Sequence, residues 1–423
     1  MTKTAPKALP ALLAALLSPA ACGSAGGADD DTATPTATDD GSSSDPSLGD
    51  TTTGTTVPEY FDRGQWMPSH RVTEHDGLSL GVWVPAIDSN DGPDTIDYTF
   101  TFKNPEFGAS PAVVHGHALA DAPADPDHGP YPVVIFSHGF SANAVWYSHL
   151  LEHLASHGFV VVAPEHIESD WLQNAASVIR RPRDVTTAID YAEAANAPGG
   201  ALAGLLDLTR VAVVGHSFGG YTALAAAGAQ LEMNNLDMRC ADVPAEDPKS
   251  FLCMPLAGRA AELAELAGLD AVPEANWPSF GDPRVTAIVP IAGDAYMFDD
   301  VGLAQISAPM MAMGGTADTG TPLDWGAQLA YDEVSSTRRS LVAFEGAEHM
   351  LAANACEDLP WSADFPYGDA LCVDPAWDKH EALGLMRHFC TAFLLATLKD
   401  DETAATALAP DAVAFERVTY AAQ

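Results

Sequence analysis

The segment Arg210–Gly220 limits what this chain can fold into more than any other. Val211-Ala-Val-Val214 is a short apolar run that leads into Gly215-His-Ser-Phe-Gly219, and the small-residue stretch Tyr221–Gly228 follows. β-Branched residues suit a buried strand, and alanine-rich stretches suit a helix. Between the two the backbone has to reverse sharply. Glycine at both flanks permits that turn, so Ser217 is expected to project from a strained corner. The bare pattern Gly-x-Ser-x-Gly also arises in ordinary glycine-rich connectors. A strand before it and a helix after it make Ser217 a candidate nucleophile, to be activated by a histidine and aimed at an ester carbonyl.

The rest of the chain follows the same rhythm. Leu78–Val84, Ile96–Phe102 and Ala112–Ala118 come first and are expected as antiparallel strands at the N-terminal edge of a sheet. Val133–Phe136, Val160–Ala163, Val211–Val214, Val285–Ile291, Met310–Met313 and Leu341–Phe344 then alternate with helical patterns. Those patterns lie around Trp146–Ser156, Arg183–Ala195 and Lys379–Leu398. Uninterrupted apolar strands interleaved with helices predict an α/β fold, with a mostly parallel central sheet and helices on both faces. Residues 231–283 form a longer excursion containing the amphipathic run Leu256–Leu269. It is either a cap over a substrate pocket or surface decoration.

The first residues have the layout of an export signal: Lys3 and Lys7, an apolar run Ala8–Leu17, then small residues up to Cys22. Ser18-Pro-Ala-Ala-Cys22 resembles the lipobox of bacterial lipoproteins, with Pro19 where that family usually has leucine. The expected organisation is a signal peptide over 1–22 and a flexible tether over 23–57. A single folded domain over 58–423 completes it. The tether is too poor in large apolar residues to offset the entropy cost of folding. Export to the cell envelope, with lipidation at Cys22, or else secretion, follows from this reading. A net charge of −39 disfavours phosphate backbones and anionic bilayers, so nucleic acid is excluded as a partner and the membrane is reached only through a lipid anchor.

Export also permits disulfides. Setting Cys22 aside leaves five of the six cysteines. Cys240 and Cys253 flank one polar loop and Cys356 and Cys372 another, so these are the expected pairs. Cys390 falls in an apolar helical run and is expected as a buried thiol. No spacing resembles a metal site.

On a parallel sheet, functional residues gather beyond the carboxyl ends of the strands. After Val133–Phe136 comes Ser137-His-Gly-Phe-Ser141, where the Phe140 N–H can serve an oxyanion together with the N–H of Phe218. His138 is read as a brace for that loop. After Met310–Met313 comes Gly314-Gly-Thr-Ala-Asp318, and after Leu341–Phe344 comes Glu345-Gly-Ala-Glu-His349. Asp318 is the favoured orienting acid and His349 the base, with Asp294 of Gly293-Asp-Ala-Tyr-Met-Phe298 as the alternative acid. His149, His153, His157 and His166 sit within or beside helical patterns and are read as packing or surface residues. Trp146 and Trp171 are read as pocket aromatics or as packing, with packing preferred for Trp146.

Four motifs together carry a resemblance: Phe136-Ser-His-Gly-Phe140, His157–His166, Arg181-Pro-Arg-Asp184 and Gly215-His-Ser-Phe-Gly-Gly220. Over roughly Tyr131–Leu398 the chain resembles α/β-hydrolases related to platelet-activating-factor acetylhydrolase, dienelactone-hydrolase-like proteins and cutinase-like polyester hydrolases. The resemblance implies the α/β-hydrolase fold and a cofactor-free serine esterase, with Ser217 as nucleophile, His349 as base, and Phe140 and Phe218 as oxyanion donors. It splits over the acid: the acetylhydrolase loop matches Asp294 and the polyester-hydrolase loop matches Asp318. Small-molecule, lipid-derived and polyester esters all remain open as substrates. The competing expectation is an inactive hydrolase fold serving as a surface binding module. A complete Ser217, Asp318 and His349 set speaks against it.

Overall fold

Every residue of Tyr131–Ser137 is buried, which a strand achieves only when both of its faces are covered. The computed structural model describes residues 59–87, 95–104, 108–168, 174–364 and 368–423. The segments 1–22 and 23–57, with Cys22, lie outside the described residues, as does Trp171. In chain order the strands are β1 (Met67–His75), β2 (Leu78–Ala86), β3 (Ile96–Asn104), β4 (Gly108–Gly116), β5 (Leu119–Ala120) and β6 (Tyr131–Ser137). They continue with β7 (Val160–Pro164), β8 (Leu206–His216), β9 (Val285–Ile291), β10 (Met310–Gly315), β11 (Arg339–Phe344) and β12 (Val418–Ala422). The main sheet has the order β12-β11-β10-β9-β8-β6-β7-β2-β1-β5. Its centre, β7 to β11, is parallel. β1 and β2 pair antiparallel at one side and β12 pairs antiparallel with β11 at the other.

Alternate residues of the central strands feed two separate cores. Val133, Ile135, Val160, Val162, Val211 and Val213 face one, and Val134, Phe136, Val161, Ala163, Ala212 and Val214 face the other. The period of two in strand side chains makes this division automatic. The first helices are α1 (Ser148–Ser156), α2 (Ala175–Asn196) and α3 (Phe218–Ala226). The excursion supplies α4 (Met233–Ala241), α5 (Lys249–Cys253) and α6 (Ala260–Ala267), and the sheet resumes with α7 (Ala327–Glu333) and α8 (Lys379–Leu398). Helices α2 and α3 cover the first core, and α1 and α8 the second. Among the described residues, no helix is long and apolar enough to cross a membrane.

The structure departs from the sequence expectation in three places. Of the early runs, only β2 enters the main sheet, whereas β3 and β4 pair with each other as a separate hairpin. The strand beside β2 is β1, flanked in turn by the short β5, and its polar Ser69 and His70 are buried. His70 packs edge-on against Tyr98 of β3 and tilted against Trp83. Finally, α2 begins well before Arg183 and carries Pro182 inside it. Proline removes the N–H that would bond the carbonyl of Val178, four residues back. The Tyr221 hydroxyl of α3 donates to that carbonyl at 2.9 Å, so the helix continues through a residue that would otherwise leave a buried acceptor unpaired.

Two disulfides join Cys240 to Cys253 and Cys356 to Cys372, and Cys390 is a buried free thiol. The first bridge staples α4 to α5. The excursion meets the loop after β10 through an ion pair between Lys249 and Asp324, with the same ammonium 5.2 Å from the centre of the Trp325 ring.

Candidate active site

At the end of β8 the chain turns at Ser217, which has φ 58° and ψ −123°, a backbone conformation that costs about 1–3 kcal/mol for a residue with a side chain. The turn is locked from both sides. Ser217 N–H donates to Ile291 O at 2.9 Å, and α3 starts at the next residue. Gly219 passes so close to the β6 loop that a Cβ there would sit 1.9 Å from Ser137 O. The small residues of the motif therefore serve close approach as much as turning.

The histidine arrives from β11. Beyond the strand ends, the β10 and β11 loops continue to pair: Thr316 N–H donates to Phe344 O, Ala317 N–H to Ala347 O, and Gly346 N–H to Thr316 Oγ1. This extension brings Asp318 beside His349. Ser217 Oγ lies 2.8 Å from His349 Nε2, and His349 Nδ1 lies 3.0 and 2.9 Å from the two oxygens of Asp318. A proton on Nδ1 donates to the carboxylate, which leaves Nε2 to accept from the serine. Gly320 makes room for the ring, since a Cβ there would lie 2.7 Å from its Cγ. Burial alone would lower the His349 pKa, but the Asp318 charge and hydrogen bond, with Asp294 behind, raise it above the ordinary histidine value.

Asp294 is 2% exposed and faces a different partner: Thr321 Oγ1 donates to it at 2.9 Å, while Thr321 N–H donates to Asp318 at 2.7 Å. One threonine thus holds both carboxylates. Burial pushes the Asp294 carboxyl up to about 7.

Phe140 and Phe218, expected from sequence as oxyanion donors, are neighbours through their rings. Phe218 is the first residue of α3, at the end of the helix where N–H groups point outward. Phe140 follows β6, and the two rings stand edge to face with centroids 6.4 Å apart. His138 is buried, and its Nδ1 donates to Gly139 O at 2.7 Å. That is the bracing role expected for it. Trp146 is buried among Phe100, Phe102 and Trp361, a packing position.

Several polar residues around this centre carried no role in the sequence reading. His216 Nε2 donates to the backbone carbonyl of His349 at 2.8 Å, and Tyr147 OH donates to His216 Nδ1 at 2.9 Å. The Gly139 backbone in turn hydrogen-bonds the Tyr147 hydroxyl, so a line of hydrogen bonds joins the β6 loop to the β11 loop. His166, read from sequence as packing or surface, forms a second Ser–His–Asp line. Its Nε2 is 2.9 Å from Ser137 Oγ and its Nδ1 is 2.7 Å from Asp184. Ser137 is fully buried whereas Ser217 is partly exposed, so only Ser217 is open to an incoming molecule. The one sequence sign of this second line was the pair of motifs His157–His166 and Arg181–Asp184.

A family model described as chlorophyllase matches residues 118–248. The matched span includes the β6 loop and Ser217 and ends before Asp294, Asp318 and His349. With the parallel sheet, the β8–α3 elbow and this match together, the assignment is plain. The chain belongs to the α/β-hydrolase superfamily. Over 99 residues it is 35% identical to chlorophyllase-1, chloroplastic, of Citrus unshiu, covering 23% of this chain and 29% of that protein. It is 37% identical over 108 residues to chlorophyllase-1 of Arabidopsis thaliana, with the same shares of 23% and 29%. The chain spans less than a third of the length of these curated relatives.

Proposed function

We propose that this protein is a serine hydrolase of carboxylic esters, with Ser217 as nucleophile, His349 as general base and Asp318 as its orienting acid. The observation that carries the reading is the 2.8 Å approach of Ser217 Oγ to His349 Nε2, with Nδ1 of the same ring held by Asp318. His349 takes the Ser217 proton as Oγ adds to the ester carbon. The resulting oxyanion is met by the N–H groups of Phe140 and Phe218. Collapse expels the alcohol, which receives the proton from His349, and leaves an acyl-serine. Water, deprotonated by His349, then releases the acid and restores Ser217. The similarity to proteins named chlorophyllase supports an ester substrate. Chlorophyll therefore belongs beside short p-nitrophenyl esters and polyester oligomers in a substrate panel.

Hydrolysis of p-nitrophenyl acetate and butyrate, with labelling by a fluorophosphonate probe, tests the reading. Ser217→Ala is expected to abolish labelling and lower kcat by about 10³-fold or more, with the melting curve unchanged. An active wild type whose Ser217→Ala variant keeps more than about a tenth of kcat would move the nucleophile elsewhere. No turnover by folded wild type would favour a binding module.

The organisation proposed with this function is an exported protein, tethered through residues 23–57 to a lipid on Cys22, with residues 231–283 as a cap. Two disulfides are compatible with an oxidising compartment. Incorporation of labelled fatty acid that Cys22→Ser eliminates is the expected result.

A further inference from the structure

A planar trans peptide points its carbonyl and the following N–H in opposite directions. The direction of the Phe140 N–H is therefore decided by whatever holds the carbonyl of Gly139. Two donors hold it: His138 Nδ1 at 2.7 Å and Arg181 Nη2 at 3.1 Å. A carbonyl has two lone pairs, and both are engaged. The His138 proton is itself assigned, because its Nε2 accepts from His166 N–H at 3.1 Å, which leaves Nδ1 as the donor.

Arg181 does more than touch one carbonyl. Its Nη1 donates to His138 O at 2.6 Å, so the guanidinium fork grips two successive peptides of the loop. It is 1% exposed, and its charge is matched by Glu168 at 2.7 Å. The other oxygen of Glu168 accepts from Ser141 N–H at 2.6 Å, at the residue where the loop turns with φ 54°. One ion pair thus holds the loop on both sides of Phe140. The guanidinium carbon also lies 5.0 Å from the centre of the Phe218 ring, so the same cation packs on the residue carrying the second donor. A buried ion pair adds little net stability and strongly specifies geometry only when each partner is fully hydrogen-bonded. Arg181 and Glu168 are arranged in that way around one peptide plane.

We propose that Arg181, held by Glu168, is the positioning residue of the oxyanion site, turning the Gly139–Phe140 peptide so that its N–H faces the carbonyl oxygen of the ester attacked by Ser217. This rests on the ester-hydrolase reading above. Arg181 touches no reacting atom and acts through the peptide it holds. A lysine keeps the charge but cannot grip two carbonyls with a planar fork.

The decisive readout compares an ester with its thionoester, because sulfur accepts hydrogen bonds poorly and makes little use of an oxyanion site. Full-length wild type is expected to prefer p-nitrophenyl butyrate over the thionobutyrate. In Arg181→Lys, kcat for the ester is expected to fall by about 10²-fold with KM changed less than about threefold, by analogy with loss of one oxyanion donor. The ester-to-thionoester ratio is expected to fall with it, which a general loosening of the fold would not produce. Ethylguanidinium added to Arg181→Ala is expected to restore part of both. Should the Arg181 variants fail to fold, Glu168→Gln decides: it removes the charge that fixes the guanidinium and leaves one acceptor oxygen where Arg181 and Ser141 N–H together use two, and the ratio is expected to fall several-fold. A folded variant with reduced kcat and an unchanged ratio overturns the proposal while leaving the ester-hydrolase reading standing. Wild type that hydrolyses no ester overturns both.

Discussion

At the scale of single residues, the two buried aspartates are the sharpest test. Asp318 takes both of its oxygens to His349 Nδ1, so Asp318→Asn removes the charge that favours the imidazolium and disturbs the tautomer. The expected loss in kcat/KM is about 10²–10⁴-fold. Asp294→Asn is expected to cost far less. Burial lifts the Asp294 carboxyl to about 7, so near neutrality it is already in part the neutral group that asparagine imitates, and Thr321 still finds an acceptor. The sign of the pH effect follows from His349. On the proposed mechanism its base form is the active one, and its pKa is raised by Asp318 against the lowering effect of burial. Activity is therefore expected to rise with pH through a limb above that of an ordinary histidine. In Asp318→Asn that limb is expected at lower pH, and a limb that stays in place would detach Asp318 from the base. A kcat/KM–pH profile of the three proteins reads all of this. Ser217, His349 and the two rival acids were visible from their places after apolar runs. Arg181, Glu168, Tyr147 and His216 were not given roles, because they reach the two loops through backbone carbonyls and amides that no side-chain motif records.

At the scale of elements, the apolar runs were legible because strands covered on both faces must be continuously hydrophobic. The failures share a cause. β1 was missed because Ser69 and His70, buried against aromatic and backbone partners, break the apolar pattern. The start of α2 was missed because Pro182 reads as a helix stop, and the residue that removes the penalty lies in another helix. Tyr221→Phe isolates that repair. It leaves the Val178 carbonyl buried without its 2.9 Å donor, at a cost of about 1–3 kcal/mol. The expected result is a Tm lowered by about 2–8 °C with little change in substrate preference, and an unchanged Tm would show that α2 tolerates the proline unaided.

At the scale of the whole molecule, charge dominates. With 58 acidic against 19 basic side chains, the folded state is under self-repulsion that salt screens within a Debye length of about 10 Å near 0.1 M. Tm measured from low salt to about 0.5 M NaCl is expected to rise by several degrees. A flat response would mean that the acidic groups are too dispersed to repel. The strand β12 matters at this scale as well. It pairs along β11 from Phe344 to Ser340, and Glu345 N–H donates to Arg417 O just ahead of it. β11 is the strand that delivers His349, so the base stands a single strand-width from the rim of the sheet. Removing residues 418–423 would leave a row of unpaired amides and carbonyls on a flat hydrophobic strand, a template for docking another chain. The expected outcome is self-association detectable by light scattering, with activity falling alongside solubility. On the proposed mechanism, upkeep of the base and protection from aggregation become one task, assigned to the five-residue strand β12.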